Sequence, residues 1–227
     1  PVVLTGSMLP LESKDTDAVG NLESGIRLAA FGDLAEVVIV FSSNESGDRR
    51  VVIRGTRARK MYTKARNAFV SLNTPPLGYI EKERIVLRDD VEHRLKRLTD
   101  VFCDINPKVV LVKFFPGMER ASLKQILEGM DGAVIEGFCT GSIRYDEPAL
   151  FRDLENFGKP IVLTTQCAFG YADFETYLVG KELAKIPNVI LAGSMLPEVA
   201  LVKLMWALGR GGNVREIMLS DLRKELS

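Results

Sequence analysis

The sequence predicts an α/β protein: a parallel-sheet N-terminal part followed by a smaller α/β C-terminal domain with a parallel sheet of its own. Three observations carry that reading. Apolar runs such as VVLT (2–5), EVVIVFS (36–42) and PIVLTT (160–165) lack polar alternation, the mark of strands covered on both faces. Helix-length stretches separate the runs of the second half, with connections of about 20 residues, as parallel crossovers require. A Gly6-Ser7 turn closes the first run, at the strand end where an α/β sheet usually meets its ligand.

Taken in order, VVLT is expected as a buried parallel strand, and Pro10 delays the next helix. Asp15, Thr16 and Asp17 supply N-cap chemistry for a helix from about Ala18 to Phe31. Its inner face is expected to hold Leu22, Ile26 and Ala29 or Ala30. EVVIVFS is a second, fully buried strand, completing a βαβ-like unit of right-handed crossover. A turn over 44–48 leads into VVIR (51–54), and YIEKERIVLRDD (79–90) alternates as a hairpin or an extended linker strand. The charged segment up to Asp104 holds the only histidine, His93, within the helix-like pattern VEHRLKRL.

The second half repeats an α/β rhythm. Strands are expected over 108–115, 132–138, 160–165 and, more briefly, 189–192. Helices are expected over 120–130, 147–156, 177–185, 197–208 and 214–222. GRGG (209–212) follows a helix and so reads as a C-cap, not a phosphate cradle. The organisation expected is a first part over 1–82, a linker over 83–105 and a second domain over 106–227. VVLTGSMLP (2–10) and VILAGSMLP (189–197) echo one another, but the residues after each copy diverge, so no repeat architecture is indicated.

At 227 residues and 46% hydrophobic content the chain can bury a core. Thirty cationic side chains balance thirty anionic ones, unlike the net basic balance of a nucleic-acid binder. Cys103, Cys139 and Cys167 form no CxxC pair, so neither zinc spacing nor a disulfide framework is indicated, which fits a reducing cytoplasm. No metal-ligand cluster and no cofactor motif stands out, and no apolar run approaches the ~20 residues of a membrane span. The start at Pro1-Val2-Val3, directly in a β-branched run and without methionine, is expected to mark a piece whose upstream part is missing.

The most informative stretch is RRVVIRGTRARKMYTKARNAFVSLNTPPLGYI (49–80), where six cations, Arg54, Arg57, Arg59, Lys60, Lys64 and Arg66, follow a strand. On charge alone this run fits a solvated face as well as it fits a site for a phosphate, a carboxylate or nucleic acid. A lysine can move protons when burial or neighbouring cations lower its pKa, and Arg57 and Arg59 flank Lys60 in sequence.

The order of residues adds to this. RxxKxxT, AFxSxN and PPLGYI resemble the region around the active-site lysine of the L-asparaginase family, with Lys60 at the lysine. PVVLTGSMLPLESKDTDAVGNL resembles the segment after that family's second catalytic threonine. The resemblance covers essentially the whole chain, as the C-terminal two-thirds of a family member. It implies an amidohydrolase in which one threonine attacks a side-chain amide, while a second threonine, an aspartate and the lysine handle the proton. Ammonia leaves an acyl-enzyme, which water then opens. Neither a TGGT-like nor a GTDT-like motif occurs in this sequence, so the nucleophile is expected upstream and the chain alone is expected to be inactive.

Residue by residue, the resemblance implies Lys60 as catalytic and Ser7, Thr140 and Ser142 as substrate-binding, the latter two in a loop offered to a neighbouring subunit. Asp17 and Asn21 are implied to brace the pocket wall. Thr165, Gln166 and Cys167 match a TQC-like element tied to effector binding in one branch, though Cys167 reads more simply as a small buried residue. Met8, Met61, Met205 and Trp206 read as packing residues.

The implied substrate is asparagine, or glutamine. The implied assembly is a homodimer or higher homo-oligomer in the cytoplasm, with no metal, cofactor or membrane. GSMLP favours the archaeal or bacterial type I branch. RGTRARKMYTKARNAF and MLPEVALVKLMW resemble the D subunit of glutamyl-tRNA(Gln) amidotransferase, which would add a partner subunit and tRNA. A domain that binds an amino acid or a subunit without chemistry is the reading from a different class.

Overall fold

β-branched runs place the strands, and hairpin turns decide how they pair. The computed structural model describes residues 1–94, 101–144 and 148–226, in two compact units, Pro1–Thr99 and Asp100–Ser227. The first unit runs β1 (Val2–Leu4), α1 (Ala18–Phe31), β2 (Val37–Ser42), β3 (Arg49–Arg54), a 3-10 turn (Gly55–Arg57), β4 (Ala58–Lys60), β5 (Phe69–Ser71), β6 (Gly78–Glu81) and β7 (Arg84–Leu87). Its main sheet has the order β1-β2-β3-β6-β7. Only β1 and β2, joined through α1, pair in parallel; the pairs beyond β2 are antiparallel, so the sheet is mixed. β4 and β5 form a separate antiparallel ribbon. The stretch 79–90 is the hairpin alternative, with Lys82 at φ 51° in its turn.

Two burial expectations are overturned here. β1 is parallel but not buried: Val2 and Leu4 are 56% and 53% exposed. Within this chain it is the outer strand, and α1 covers only the face that carries Val3. Helix α1 has the expected bounds but a different inner face, since Asn21, Gly25 and Leu28 are buried while Leu22 and Ile26 are 54% and 61% exposed. Gly25 faces β1, where an added Cβ would lie 3.5 Å from Val3 and 3.6 Å from Thr5. Hydrogen bonding by Asn21 sets the helix rotation against the apolar stripe.

The second unit is a four-stranded sheet of β8 (Val109–Lys113), β9 (Gly132–Gly137), β10 (Ile161–Thr165) and β11 (Val189–Leu191). Its order is β11-β10-β9-β8, and all pairs are parallel. Helices α2 (Arg120–Leu127), α3 (Pro148–Phe157) and α4 (Leu178–Leu183) pack on one face, around Leu123, Leu154, Ile135 and Leu163. Helices α5 (Pro197–Arg210) and α6 (Val214–Leu219) pack on the other, around Val134, Val162, Ala200 and Leu204. This is the expected arrangement of helices on both faces. GRGG does terminate α5, with Gly211 at φ 75° donating to the Ala207 carbonyl. Among the described residues no helix is long and apolar enough to cross a membrane.

Candidate functional site

In the first unit, the turn after β1 is held from inside by side chains of α1. The Asp17 carboxylate, 3% exposed, accepts from the Met8 and Leu9 amides at 3.0 to 3.1 Å. It thereby braces the turn and makes no side-chain cap to its own helix. Thr16 Oγ1 accepts from the Ala18 amide instead, at 3.1 Å. Asn21, fully buried, donates from Nδ2 to the Gly6 carbonyl at 2.9 Å and to Asp17 Oδ2 at 3.0 Å. Its Oδ1 accepts from Ser42 Oγ at 3.1 Å and Arg50 Nε at 3.0 Å. Ser7 sits at the exposed crest of this turn, its hydroxyl donating to the Leu9 carbonyl at 2.8 Å.

Ser42 and Arg50 are cross-strand partners, and sequence reasoning missed both. The available signal was parity. On β2 and β3 the positions that face α1 are Val38, Val40 and Ser42, and Arg50, Val52 and Arg54, so polar residues interrupt core-facing rows. Burial lowers the Arg50 guanidinium pKa, with Asp17 acting in the opposite sense. Gly20 leaves its path open, because an added Cβ would lie 1.9 Å from Arg50 Nη2. At the other end of these rows, Arg54 clasps Glu36 through two bonds of 2.5 and 2.9 Å. Burial pushes the Glu36 carboxyl up, but the Arg54 guanidinium and the Glu92 amide outweigh it and hold it below the ordinary value.

The basic run therefore does not form one surface. Arg54 is bound to Glu36, Arg57 is fully buried, and Arg66 donates to the carbonyls of Asp15 and Glu45. Lys60 ends β4 and is exposed, as is Lys64. Strand alternation turns Arg59 and Lys60 to opposite faces, so neighbours in sequence are not neighbours on a face. Lys60 is register partner to Phe69. The Phe69 ring packs edge-on against Phe41 at 4.9 Å, and Phe41 lies 3.8 Å from where a Gly6 Cβ would stand. Two aromatic rings thus separate the lysine strand from the Ser7 turn.

Thr140 and Ser142 lie in the second unit, in the tight turn that follows β9. The Phe138 and Ser142 backbones pair reciprocally at 2.6 and 2.8 Å, with Cys139 at φ 46° and Gly141 at φ 92° between them. Thr140 Oγ1 is enclosed and has no hydrogen-bond partner among the described residues, as is also true of Thr164 Oγ1. Gly137 is required at the root of this turn, since a Cβ there would stand 2.4 Å from the Gly141 carbonyl group. Gln166 Nε2 ties the strand ends together by donating to the Phe114 and Glu136 carbonyls. Ser7 and Lys60 thus belong to one unit, and Thr140 and Ser142 to the other.

Three minor expectations resolve differently. Cys167 is exposed, not buried, because β10 has ended and its chain is leaving the sheet. Met61 is 41% exposed and packs little. His93, expected in a helix-like pattern, lies in irregular backbone and meets Asp33 Oδ2 at 2.9 Å. The rest of that pattern, residues 95–98, lies outside the described residues.

Comparison with known proteins gives a consistent result. Residues 1–93 match the family model for the N-terminal domain of asparaginase, and residues 108–218 that for the glutaminase/asparaginase C-terminal domain. The glutamyl-tRNA(Gln) amidotransferase D subunit of Methanosphaera stadtmanae is 35% identical over all of this chain and 53% of its own length. The protein of the same name from Metallosphaera sedula is 38% identical over 98% of this chain and 52% of its own. The chain spans about half the length of the curated relatives it matches. Among solved structures, the thermostable L-asparaginase from Thermococcus kodakarensis superposes with a TM-score of 0.89 at 32% identity, over all of this chain and 68% of that one. L-asparaginase I from Vibrio cholerae gives 0.84 at 26% identity, over all of this chain and 67% of that one.

Proposed function

This chain belongs to the asparaginase family, and from that premise we propose that it is the lysine-bearing portion of an ammonia-releasing amidohydrolase. The reaction is hydrolysis of L-asparagine to L-aspartate and ammonia, with a threonine nucleophile supplied by residues upstream of Pro1. Lys60 moves the proton for that nucleophile. Ser7 lines the amide end of the substrate, and Thr140 and Ser142 serve a neighbouring copy's site in a homo-oligomer. The observation that supports this reading is Lys60 itself. It is an exposed amine on a strand whose partner packs, through Phe69 and Phe41, against the turn that carries Ser7. The buried bonds of Asp17 and Asn21 keep that turn in place, which is the preorganisation that proton transfer to a bound substrate requires.

A second reading is supported by the relatives named above. Here the same site releases ammonia from glutamine for a partner subunit acting on tRNA. The experiment is ammonia release from asparagine and from glutamine by the chain extended upstream, with Lys60→Met as control. Loss of about 10²–10⁴-fold in the variant is expected for a proton-moving group. Asparagine turnover by the protein alone supports the first reading, and glutamine turnover only with partner and tRNA supports the second. Turnover indifferent to Lys60 overturns both, and no turnover at all leaves a binding or subunit-interaction domain.

A further inference from the structure

We propose that Cys139 and Cys167 form a reversible disulfide site, oxidised by a hydroperoxide, at the carboxyl end of the parallel sheet. Far apart in sequence, the two are brought together by the sheet register. The β9–β10 ladder ends with Gly137 opposite Thr165, and the Gln166 amide still reaches the Gly137 carbonyl at 3.0 Å. Two residues beyond that last pair stand Cys139, in the turn after β9, and Cys167, and one hydroxyl, Thr165 Oγ1, touches the backbones of both. A disulfide spans a Cα separation of about 4.4–6.8 Å, and the strand ends from which the two segments leave stand about 4.8 Å apart.

The backbone bends here, with Cys139 at φ 46°, yet one side chain holds both segments. Thr165 Oγ1 donates to the Cys139 carbonyl and accepts from the Cys167 amide. Both thiols are exposed, so an oxidant reaches them.

The chemistry balances without a cofactor. One thiolate attacks a peroxide oxygen, the O–O bond breaks, and the sulfur becomes a sulfenic acid as the first water leaves. The second thiolate attacks that sulfur, the S–O bond breaks, and hydroxide leaves as the second water. Two thiols and one hydrogen peroxide give one disulfide and two waters. Two electrons pass from the sulfurs to the peroxide. Thiol reductants reverse the bond, which suits a reducing compartment, where disulfides are transient. The bond fastens the Cys139–Ser142 turn, with its unpartnered Thr140 hydroxyl, to the end of β10. The inference is independent of the reaction proposed above.

The test uses the full chain with Cys103→Ser, leaving only the two thiols in question, reduced and then treated with equimolar hydrogen peroxide. The expected product runs as a single chain under denaturing, non-reducing conditions, is lighter by about 2 Da, and has lost both titratable thiols together. Peptide mapping should show residues 139 and 167 in one linked species, restored by dithiothreitol. Adding Cys139→Ser or Cys167→Ser should abolish the link and yield oxygen adducts or dimers instead. The unsubstituted protein, mapped in parallel, should show the same pairing and none through Cys103. Independent oxidation of the two thiols to sulfinic acids, exclusively intermolecular dimers, or no reaction in a folded protein would overturn the proposal.

Discussion

Replacing Asn21 by alanine removes the one side chain that joins the first turn, α1, β2 and β3. Four side-chain hydrogen bonds vanish, to the Gly6 carbonyl, Asp17, Ser42 and Arg50. Their costs are unequal. Gly6 is exposed and its carbonyl regains water, and Arg50 keeps the Gly47 carbonyl. Ser42 and Asp17, at 0% and 3% exposure, lose a partner where water does not replace it. At about 1–3 kcal/mol for Ser42 and about 1 kcal/mol for Asp17, which keeps the Met8 and Leu9 amides, the expected loss is about 2–4 kcal/mol.

With a urea slope of about 1–3 kcal/mol per molar, that loss moves the midpoint of the first unit by about 1–4 M. Two probes separate the units, because Trp206 is the only tryptophan and lies in the second. Far-UV circular dichroism should show the shift while the Trp206 fluorescence transition stays in place. An unmoved dichroism transition, or an equal shift in both probes, would refute the reasoning.

A companion variant tests the donor. Asn21→Asp keeps the shape but puts a carboxylate oxygen where Nδ2 now stands, 3.0 Å from Asp17 Oδ2. Two carboxylates so close cannot both stay ionised, so a folded-state pKa rises above the ordinary value of about 3.9. The folded protein then binds more protons than the unfolded one, and stability falls as pH rises. Relative to wild type, the penalty should be large at neutral pH and shrink on acidification, while that of Asn21→Ala stays flatter.

Two further outcomes concern the second unit. Lys203→Met should cost about 3–5 kcal/mol, because it leaves Glu225 buried without its cation, whereas the double variant with Glu225→Leu should recover most of the loss. The present pair is 2.6 Å apart with side chains 6% and 3% exposed, and Trp206 fluorescence reads its unit. Burial raises the Glu225 carboxyl, but Lys203 and the Leu222 and Arg223 amides outweigh it and lower it overall. Its stabilising contribution is therefore present above the ordinary value of 4.5 and lost as pH falls through the lowered one. Gly137→Ala should displace the 138–142 turn at a cost of about 1–3 kcal/mol, seen as faster hydrogen exchange at the Ser142 amide.

Much of this architecture was legible because local chemistry and global fold agree. The bounds of α1 follow from the polar 15–17 segment and the end of periodicity at Phe31, and those of α5 from Pro197 and Gly211. Facing was harder to read. An apolar stripe through Leu22 and Ile26 is the ordinary signal for an inner face, but Asn21 and Asp17 can satisfy their hydrogen bonds only if they point inward. Leaving those groups unmet would cost more than exposing two aliphatic side chains. The exposure of β1 was hidden for another reason, since VVLT states that a strand forms but not how many of its faces are covered. The proposal for Lys60 rests on residue order, through the family resemblance, and not on its charged neighbours.

Those neighbours bear on the choice between the two proposed reactions. A phosphate-binding track needs several cations on one accessible face, and each contact neutralised adds about 0.9 to the salt slope of binding. In this unit Arg54 and Arg57 are buried and Arg66 is bonded to two backbone carbonyls, while the chain as a whole carries no net charge. Lys60 and Lys64 are the exposed lysines of the run, enough for a slope of about 2 and not for a duplex-tracking surface. A tRNA-linked role would therefore draw its RNA contacts from outside this run, and Lys60→Met should leave RNA affinity nearly unchanged while removing ammonia release. A run that is basic in sequence serves in the fold chiefly to tie strands and loops together, with Lys60 left exposed and set apart from the Ser7 turn by the Phe69 and Phe41 rings.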